Sequence, residues 1–256
     1  MSDSEKLTEG TLLSHLLELR SRLVKAVIAV VVLFIPCAYY ANEIFVVVSK
    51  PLTAQLPKGS SLIATSVMSP FTTPFKLAFM VAVFGAMPYV LGQVWAFVAP
   101  GLYRKEKHFA VPLLISSILL FYIGAAFAYF FVFPLMFQFF AQTTPQGVQM
   151  MTDINSYLDF VTTMFFAFGV AFEVPIAVVL LAITGMVSIK KLSDARGYVV
   201  IGIFVIAAIL TPPDALSQTM MAIPMWFLYE AGIIFARIMI RGRETAKPAD
   251  ADKAET

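Results

Sequence analysis

The sequence predicts an all-α, polytopic membrane protein with six transmembrane helices and both termini in the cytoplasm. Hydrophobic residues make up 59% of the 256 residues and charged residues only 13%, about half the charged fraction of an ordinary globular domain. The mean hydropathy is +0.84, and nearly uncharged runs long enough to cross a bilayer recur along the chain. Lys and Arg gather at alternate ends of these runs, which is the pattern that sets membrane orientation.

Six apolar runs account for the predicted spans. They are Leu23–Ala41, Leu77–Val98, Phe109–Phe137, Phe160–Met186, Tyr198–Leu210 and about Met220–Arg237. The last two are short: the fifth would rise roughly 20 Å against a hydrocarbon core of about 30 Å. The pair could form a re-entrant hairpin or two short spans in locally thinned lipid. Basic residues at both outer ends of the pair favour short spans, joined by the turn TPPD at Thr211–Asp214.

Basic residues predict the orientation, because cytoplasmic loops carry the excess of Lys and Arg. Four clusters fall on one side of the predicted membrane: Arg20, Arg22 and Lys25; Arg104, Lys105 and Lys107; Lys190, Lys191 and Arg196; Arg237, Arg241, Arg243 and Lys247. The opposite loops hold only Lys50, Lys58 and Lys76. Both termini are therefore expected in the cytoplasm.

The domain organisation is expected to be simple. Residues 1–240 are predicted to form one six-helix transmembrane domain, and the polar tail 241–256 to be disordered. The N-terminus lacks the basic and apolar regions of a cleavable signal peptide, and a single cysteine, Cys37, excludes an intramolecular disulfide. Prolines in or beside five spans are expected to bend their helices: Pro36, Pro88, Pro134, Pro175 and Pro224.

Two stretches at the predicted cytoplasmic face carry acids among basic residues. In SHLLELRSRL, Ser14–Leu23, leucines share one helical face and Glu18 precedes Arg22 by four residues, the favourable order for a helical ion pair. This segment is either an interfacial helix leading into span one or a binding surface. In the loop QVWAFVAPGLYRKEKH, Glu106 either neutralises its basic neighbours or accepts an incoming guanidinium, whose fork matches a carboxylate.

The most unusual residue is Glu173, in the middle of the fourth run. An acid at the bilayer centre costs about 2.5–3.5 kcal/mol on insertion scales, so intramembrane acids are functional hypotheses by default. Three interpretations remain open: an acid satisfied within the bundle, a proton relay, or a docking point for a partner helix. A relay is weakened because few other titratable groups lie in the runs.

Motifs for several other classes of protein are absent from the sequence. There is no P-loop, HExxH, GxSxG or cysteine cluster. His15 and His108 are isolated, so no metal site is expected. No nucleophile–base set lies in the spans, and we expect neither an enzyme nor a cofactor.

Several long motifs resemble the TatC family, the multi-spanning core of the twin-arginine protein translocase, and are most similar to its proteobacterial members. The resemblance covers about Leu12 to Arg237. It lies in HLLELRSRL, SPFTTPFK, QVWAFVAPGLYRKEK, FYIGAAFAYFFVFP, FGVAFEVP and LTPPDALSQTMMAIPMWFLYE.

The resemblance implies a curved, glove-like bundle of six helices in the bacterial cytoplasmic membrane. It implies a receptor for signal peptides with two consecutive arginines, which acts with TatA-like and TatB-like single-span partners and further copies of itself. Together these move folded proteins across the membrane, driven by the proton-motive force. No nucleic-acid partner is implied.

The resemblance also assigns roles to residues. Signal recognition maps to Glu18, Arg20, Arg22, Phe97, Leu102 and Glu106; partner-helix docking maps to Glu173 and Gln218; Pro51 and Asp214 match other functional positions in outward-side loops. From the residues alone, the rival from another class is a proton-coupled small-solute transporter that uses Glu173. An intramembrane enzyme is the weakest alternative.

Overall fold

A computed structural model describes residues 3–53, 61–98, 110–143, 151–210 and 215–246. Side chains are described within 14–47, 63–98, 110–140, 142–143, 151–210, 215 and 218–241. The described chain is almost entirely helical, which confirms the all-α class. Its contacts divide it into two compact units, residues 1–114 with 145–162 and residues 115–144 with 163–256, and each is treated separately below. The prediction of a single domain over 1–240 stays a prediction.

The first unit contains two long antiparallel helices. Its elements are α1 (Asp3–Tyr39), α2 (Ala41–Thr53), β1 (Ser61–Ile63), α3 (Ser69–Val98), the start of α4 (Ala110–Phe127), β2 (Met151–Asp153) and the start of α6 (Ile154–Ala171). Helices α1 and α3 pack through Phe34, whose ring lies 5.7 Å from that of Phe79. The stretch SHLLELRSRL continues into span one without a break, because α1 is one helix. Between Leu16 and Tyr39, α1 exposes large apolar side chains such as Val27 and Ile35, as expected for a helix that faces lipid.

Two three-residue strands that the sequence did not predict lie before the N-termini of α3 and α6 in the first unit. β1 pairs in parallel with β2, with Ser61 opposite Met151 and Ile63 opposite Asp153. Strands of three residues are too short to show an alternating pattern, so periodicity could not reveal them. Asp153 then precedes α6 and accepts a 3.1 Å hydrogen bond from the backbone N–H of Ser156, as a helix N-cap does.

The second unit contains the remaining apolar helices. Its elements are the rest of α4, a π-helical turn (Ala128–Val132), α5 (Phe133–Thr143), the rest of α6, α7 (Val174–Ile183), α8 (Ile189–Asp194), α9 (Arg196–Leu210) and α10 (Ala215–Ala246). The π turn ends two residues before Pro134, whose missing N–H disturbs the regular ladder there. By contrast, Pro36, Pro88 and Pro224 lie inside continuous helices.

Five of the six predicted spans are long and apolar enough to cross a membrane: Ser14–Tyr39, Ser69–Val98, Ala110–Phe140, Ile154–Ile183 and Gln218–Arg241. The fifth predicted span corresponds to the shorter helix α9. The sixth differs from the sequence prediction, since it is 24 residues long and only α9 is short. Helix α10 also continues to Ala246, six residues into the predicted tail. Four of those six residues are Arg, Glu or Ala, which favour helices and outweigh Gly242 and Thr245. The rest of the tail lies outside the described residues.

Candidate functional site

The N-terminal part of α1 presents an acid that already binds a guanidinium. Oε1 of Glu18 accepts hydrogen bonds from Nε of Arg22 at 3.0 Å and from Nη2 at 2.6 Å. The i,i+4 spacing places both side chains on one face of the helix. Arg20 lies on α1 between them and is exposed. The predicted ion pair between Glu18 and Arg22 is therefore confirmed.

The same face of α1 meets the end of α3 through an aromatic contact. His15, one turn before Glu18, stacks on Phe97 with ring centroids 4.3 Å apart and an interplanar angle of 19°. The contact brings Phe97 beside the Glu18–Arg22 face. Sequence spacing could not have paired His15 with Phe97, since they are far apart in the chain.

Several predicted site residues cannot be located. Leu102 and Glu106 lie in 99–109, and Asp214 lies in 211–214, outside the described residues. Pro51 is in α2, but its side chain is not described. Gln218 lies in the first turns of α10 and is half-buried.

In the second unit, Glu173 lies at a break between two helices of one span. Helix α6 ends at Ala171 and α7 begins at Val174, so Glu173 is the residue before the first turn of α7. The break follows from Pro175, which has no N–H to offer and whose ring clashes with the carbonyl of Ala171, four residues earlier. The Glu173 side chain makes no capping hydrogen bond to the helix. It is left to point away from its own backbone.

The carboxyl group of Glu173 is only partly satisfied. Its Oε2 accepts a hydrogen bond of 2.5 Å from the hydroxyl of Ser117 on α4. Its Oε1 is buried and has no hydrogen-bond partner among the residues that the structure describes. A buried polar atom without a partner is costly and calls for an explanation. Oε1 can therefore accept one further hydrogen bond from a group that reaches this buried position.

Two glycines bring α4 and α6 unusually close in the turns of α6 that precede Glu173. A Cβ at Gly124 would lie 2.5 Å from the carbonyl oxygen of Phe168, and a Cβ at Gly169 would lie 2.6 Å from the ring of Phe121. Only glycine fits such approaches. Ser117, Phe121 and Gly124 follow one another at helical spacing, so one face of α4 carries all three.

A third glycine, on α10, lies against the start of α7 just after the break at Glu173. A Cβ at Gly232 of α10 would lie 2.9 Å from the Cα of Pro175 and 3.0 Å from the Cβ of Val178. Helix α10 therefore packs directly on the first turn of α7. Close packing on both sides leaves the backbone at Glu173 little freedom.

A second acid in an apolar span of this unit, Glu230 on α10, is paired through both of its oxygens. Its Oε1 and Oε2 accept hydrogen bonds from Nε of Arg196 at 2.5 Å and Nη2 at 2.9 Å, a guanidinium–carboxylate fork. The neighbouring Tyr229 hydroxyl donates to the carbonyl of Leu192 at 2.7 Å. These bonds hold α8 and the start of α9 on α10.

No group of three or more metal-ligating side chains comes together among the described residues. In chemical terms, the described part of the chain offers one carboxylate beside an aromatic contact on α1 and one partly satisfied carboxyl group within a span. Ser117 and the three close-packed glycines are the residues around the acid that sequence reasoning missed. Serine and glycine inside an apolar run were the available signals, but they do not say which residue faces the acid.

Comparison with known proteins identifies the family. The family model for "Sec-independent protein translocase protein (TatC)" matches residues 14–224. A TatC protein of Azotobacter chroococcum mcd 1 is 57% identical over 241 residues, which cover 94% of this chain and 93% of that protein. The TatC protein of Escherichia coli strain K12 is 56% identical over 233 residues, 91% and 90% of the two chains.

A solved structure agrees with these sequence matches. A crystal structure of the twin-arginine translocase receptor TatC superposes with a TM-score of 0.79 at 36% identity, and covers 88% of this chain and 98% of that one. The predicted resemblance is confirmed, including its proteobacterial relatives. The chain is a multi-pass membrane protein that belongs to the TatC family of Sec-independent protein translocase proteins.

Proposed function

We propose that this chain is the receptor and scaffold of a twin-arginine translocation system in the bacterial cytoplasmic membrane. It binds twin-arginine signal peptides and, with TatA-like and TatB-like partners and further copies of itself, moves folded proteins across the membrane. The proton-motive force drives the movement. The observation that carries the proposal is the match to translocase proteins over more than nine-tenths of the chain.

Signal recognition is proposed for the cytoplasmic face, where both termini are expected. Glu18 supports it, because its carboxylate already binds the guanidinium of Arg22 and so has the geometry that an incoming arginine needs. Glu106 is proposed as the second carboxylate, with Arg20, Arg22, Phe97 and Leu102 completing the surface. The stacking of Phe97 on His15, one turn before Glu18, supports a place for Phe97 in this surface.

Partner docking is proposed at Glu173. Oε1 of this acid is buried and has no partner among the described residues, so it can accept a hydrogen bond from a polar residue on a partner span, a contact worth about 1–2 kcal/mol in model peptides. Gln218 is proposed to contribute to the same docking from α10. Pro51 and Asp214 are proposed to act on the outward side; Pro51 was predicted in a loop but lies in helix α2.

A proton-coupled transporter is less well supported. A relay needs a chain of titratable groups, and Glu173 accepts its hydrogen bond from a serine hydroxyl. A serine can orient a carboxyl group but does not titrate near neutral pH.

Crosslinking between a twin-arginine signal peptide and this chain in native membranes tests the receptor role. The native chain is compared with Glu18→Ala, Glu106→Ala and the control Glu43→Ala, which removes an exposed acid from α2. The native peptide is compared with one whose two arginines are lysines. We expect the crosslink to disappear with Glu106→Ala and with the lysine peptide, and to persist with Glu43→Ala. A crosslink that survives both changes would remove Glu106 from recognition and leave Glu18 as the remaining candidate.

A further inference from the structure

Ser117 is the buried hydroxyl that contacts Glu173. Its side chain is 1% exposed and its Oγ lies 2.5 Å from Oε2 of the acid. Seryl hydroxyls in helices usually turn back to a carbonyl of the preceding turn. Here the hydroxyl donates across to another helix instead, at a position where water has no access.

The backbone packing fixes where this hydroxyl stands. Gly124 lies two turns after Ser117 on the same face of α4 and admits the carbonyl of Phe168 at a distance that no side chain would allow. On the opposing helix, Gly169 lies one turn before Glu173 and receives the ring of Phe121. The reciprocal contacts set the separation and register of α4 and α6 where Ser117 meets the acid.

One oxygen of Glu173 is thus occupied by Ser117, while the other is buried and without a partner among the described residues. A carboxyl group with one oxygen anchored cannot rotate freely. The anchored group presents a single oxygen in a defined direction.

We propose that Ser117 is a positioning residue for Glu173: it anchors Oε2 so that Oε1 meets one hydrogen-bonding group on a partner span. The inference rests on the proposed docking role of Glu173. It names Ser117 as the residue that orients the carboxyl group and leaves only Oε1 for the partner. The matching group on the partner is therefore a single hydrogen-bond donor, such as the side-chain amide of one residue.

An infrared measurement tests the anchor without any partner. The purified chain in lipid nanodiscs is compared with Ser117→Ala, and the Glu173 band is assigned by its loss in Glu173→Gln. Ser117→Ala should shift that band. Ser116→Ala is the matched control, because the neighbouring serine lies about 100° around the helix. An unshifted band in Ser117→Ala would overturn the inference, whatever the partner does.

A binding measurement then tests whether Ser117 orients Oε1 of Glu173 towards a partner span. The probe is a synthetic single-span peptide with one glutamine in its apolar stretch, compared by energy transfer with the same peptide carrying leucine. The native chain should prefer the glutamine peptide by about threefold or more, the size of typical hydrogen bonds between membrane helices. Ser117→Ala should lose most of that preference and Ser116→Ala should keep it.

Two further variants separate the hydrogen bond from packing. Ser117→Thr keeps the hydroxyl and should retain the preference, whereas Ser117→Cys keeps the shape with a much weaker donor and should lose it. A preference that persists in Ser117→Ala and Ser117→Cys but disappears in Glu173→Ala would overturn the inference and leave the docking role of Glu173 intact. Equal binding of both peptides by the native chain would contradict the docking role itself.

Discussion

Glu173 and Glu230 are both acids in apolar spans of the same unit, yet their surroundings differ. Both oxygens of Glu230 are bonded to the Arg196 fork, and the side chain is 19% exposed. Glu173 has one bond, to Ser117, and one buried oxygen without a partner among the described residues. Since an unsatisfied buried group costs free energy, a chain that keeps one must use it elsewhere. The comparison separates an acid that stabilises the fold from one that we propose is held for a partner.

The largest effect is expected from filling the glycine contact near Glu173. Gly124→Ala would drive a Cβ against the carbonyl of Phe168 and should lower the free energy of unfolding by about 1–3 kcal/mol, as overpacking does. Thermal unfolding in detergent measures it. The control is Gly202→Ala on α9, where a Cβ meets nothing within 4 Å. Equal stability of the two variants would show that α4 and α6 are not held by this contact.

Breaking the paired acid should have the next largest effect. Glu230→Ala leaves the Arg196 guanidinium without its fork and should clearly lower the midpoint of thermal unfolding. The loss should be smaller than that of Gly124→Ala, because Arg196 is 43% exposed and water can replace part of the bond. An unchanged midpoint would mean that the pair does not hold α8 and α9 on α10.

Asp153, before α6, provides a carboxylate outside the spans whose oxygens are both satisfied. The hydroxyl and N–H of Thr65, at 2.7 and 3.0 Å, and the N–H of Ser156 lower the pKa of Asp153 from 3.8 to about 2. Because this pKa is lower in the folded state than in the unfolded state, the ionised carboxylate stabilises the folded protein at pH values above about 4. This stabilisation is lost as the pH falls from about 4 towards 2.

Replacing that charge gives the matching prediction. Asp153→Asn should be less stable than the native chain at neutral pH, and the difference should shrink as pH falls through the same window. Unfolding curves at several pH values measure it. A difference that stays constant down to pH about 2 would exclude the charge as its cause.

The smallest effect is expected from an exposed ion pair. Lys76 Nζ lies 2.9 Å from Oδ1 of Asp159, and both side chains are about half exposed. Exposed pairs contribute about 0–1 kcal/mol, so Lys76→Met should change the free energy of unfolding by no more than that. Added salt should remove the difference between the two proteins. A larger loss of unfolding free energy that persists in added salt would show that this pair stabilises the fold, as the Glu230–Arg196 pair does, and is not an ordinary surface ion pair.

Composition and periodicity predicted the all-α class, the spans and the acid in the fourth run, because these depend on local sequence. The sixth span was predicted at about Met220–Arg237 and is longer, from Gln218 to Arg241. Glu230, which lies inside it, is paired with Arg196. The strands β1 and β2 and the π turn were missed because they are only three to five residues long.

The candidate site was predicted only in part, for a physical reason. The cost of an acid in lipid singles out Glu173 from sequence alone. Nothing in the pair Ser116–Ser117 says which hydroxyl reaches an acid 56 residues later. That choice depends on the register set by Gly124 and Gly169, which is a property of the packed helices.

The most direct test measures stability and partner capture together for Glu173→Ala and Glu230→Ala. Native chain and variants are purified in detergent, their unfolding midpoints are recorded, and capture of a TatB-like single-span partner is quantified. Glu173→Ala should capture about 5- to 30-fold less partner, the equivalent of 1–2 kcal/mol, with an unfolding midpoint near the native one. Glu230→Ala should show a lower midpoint with capture retained wherever the protein is folded. Capture unaffected by Glu173→Ala, or reduced equally in both variants, would contradict the distinction between the two acids.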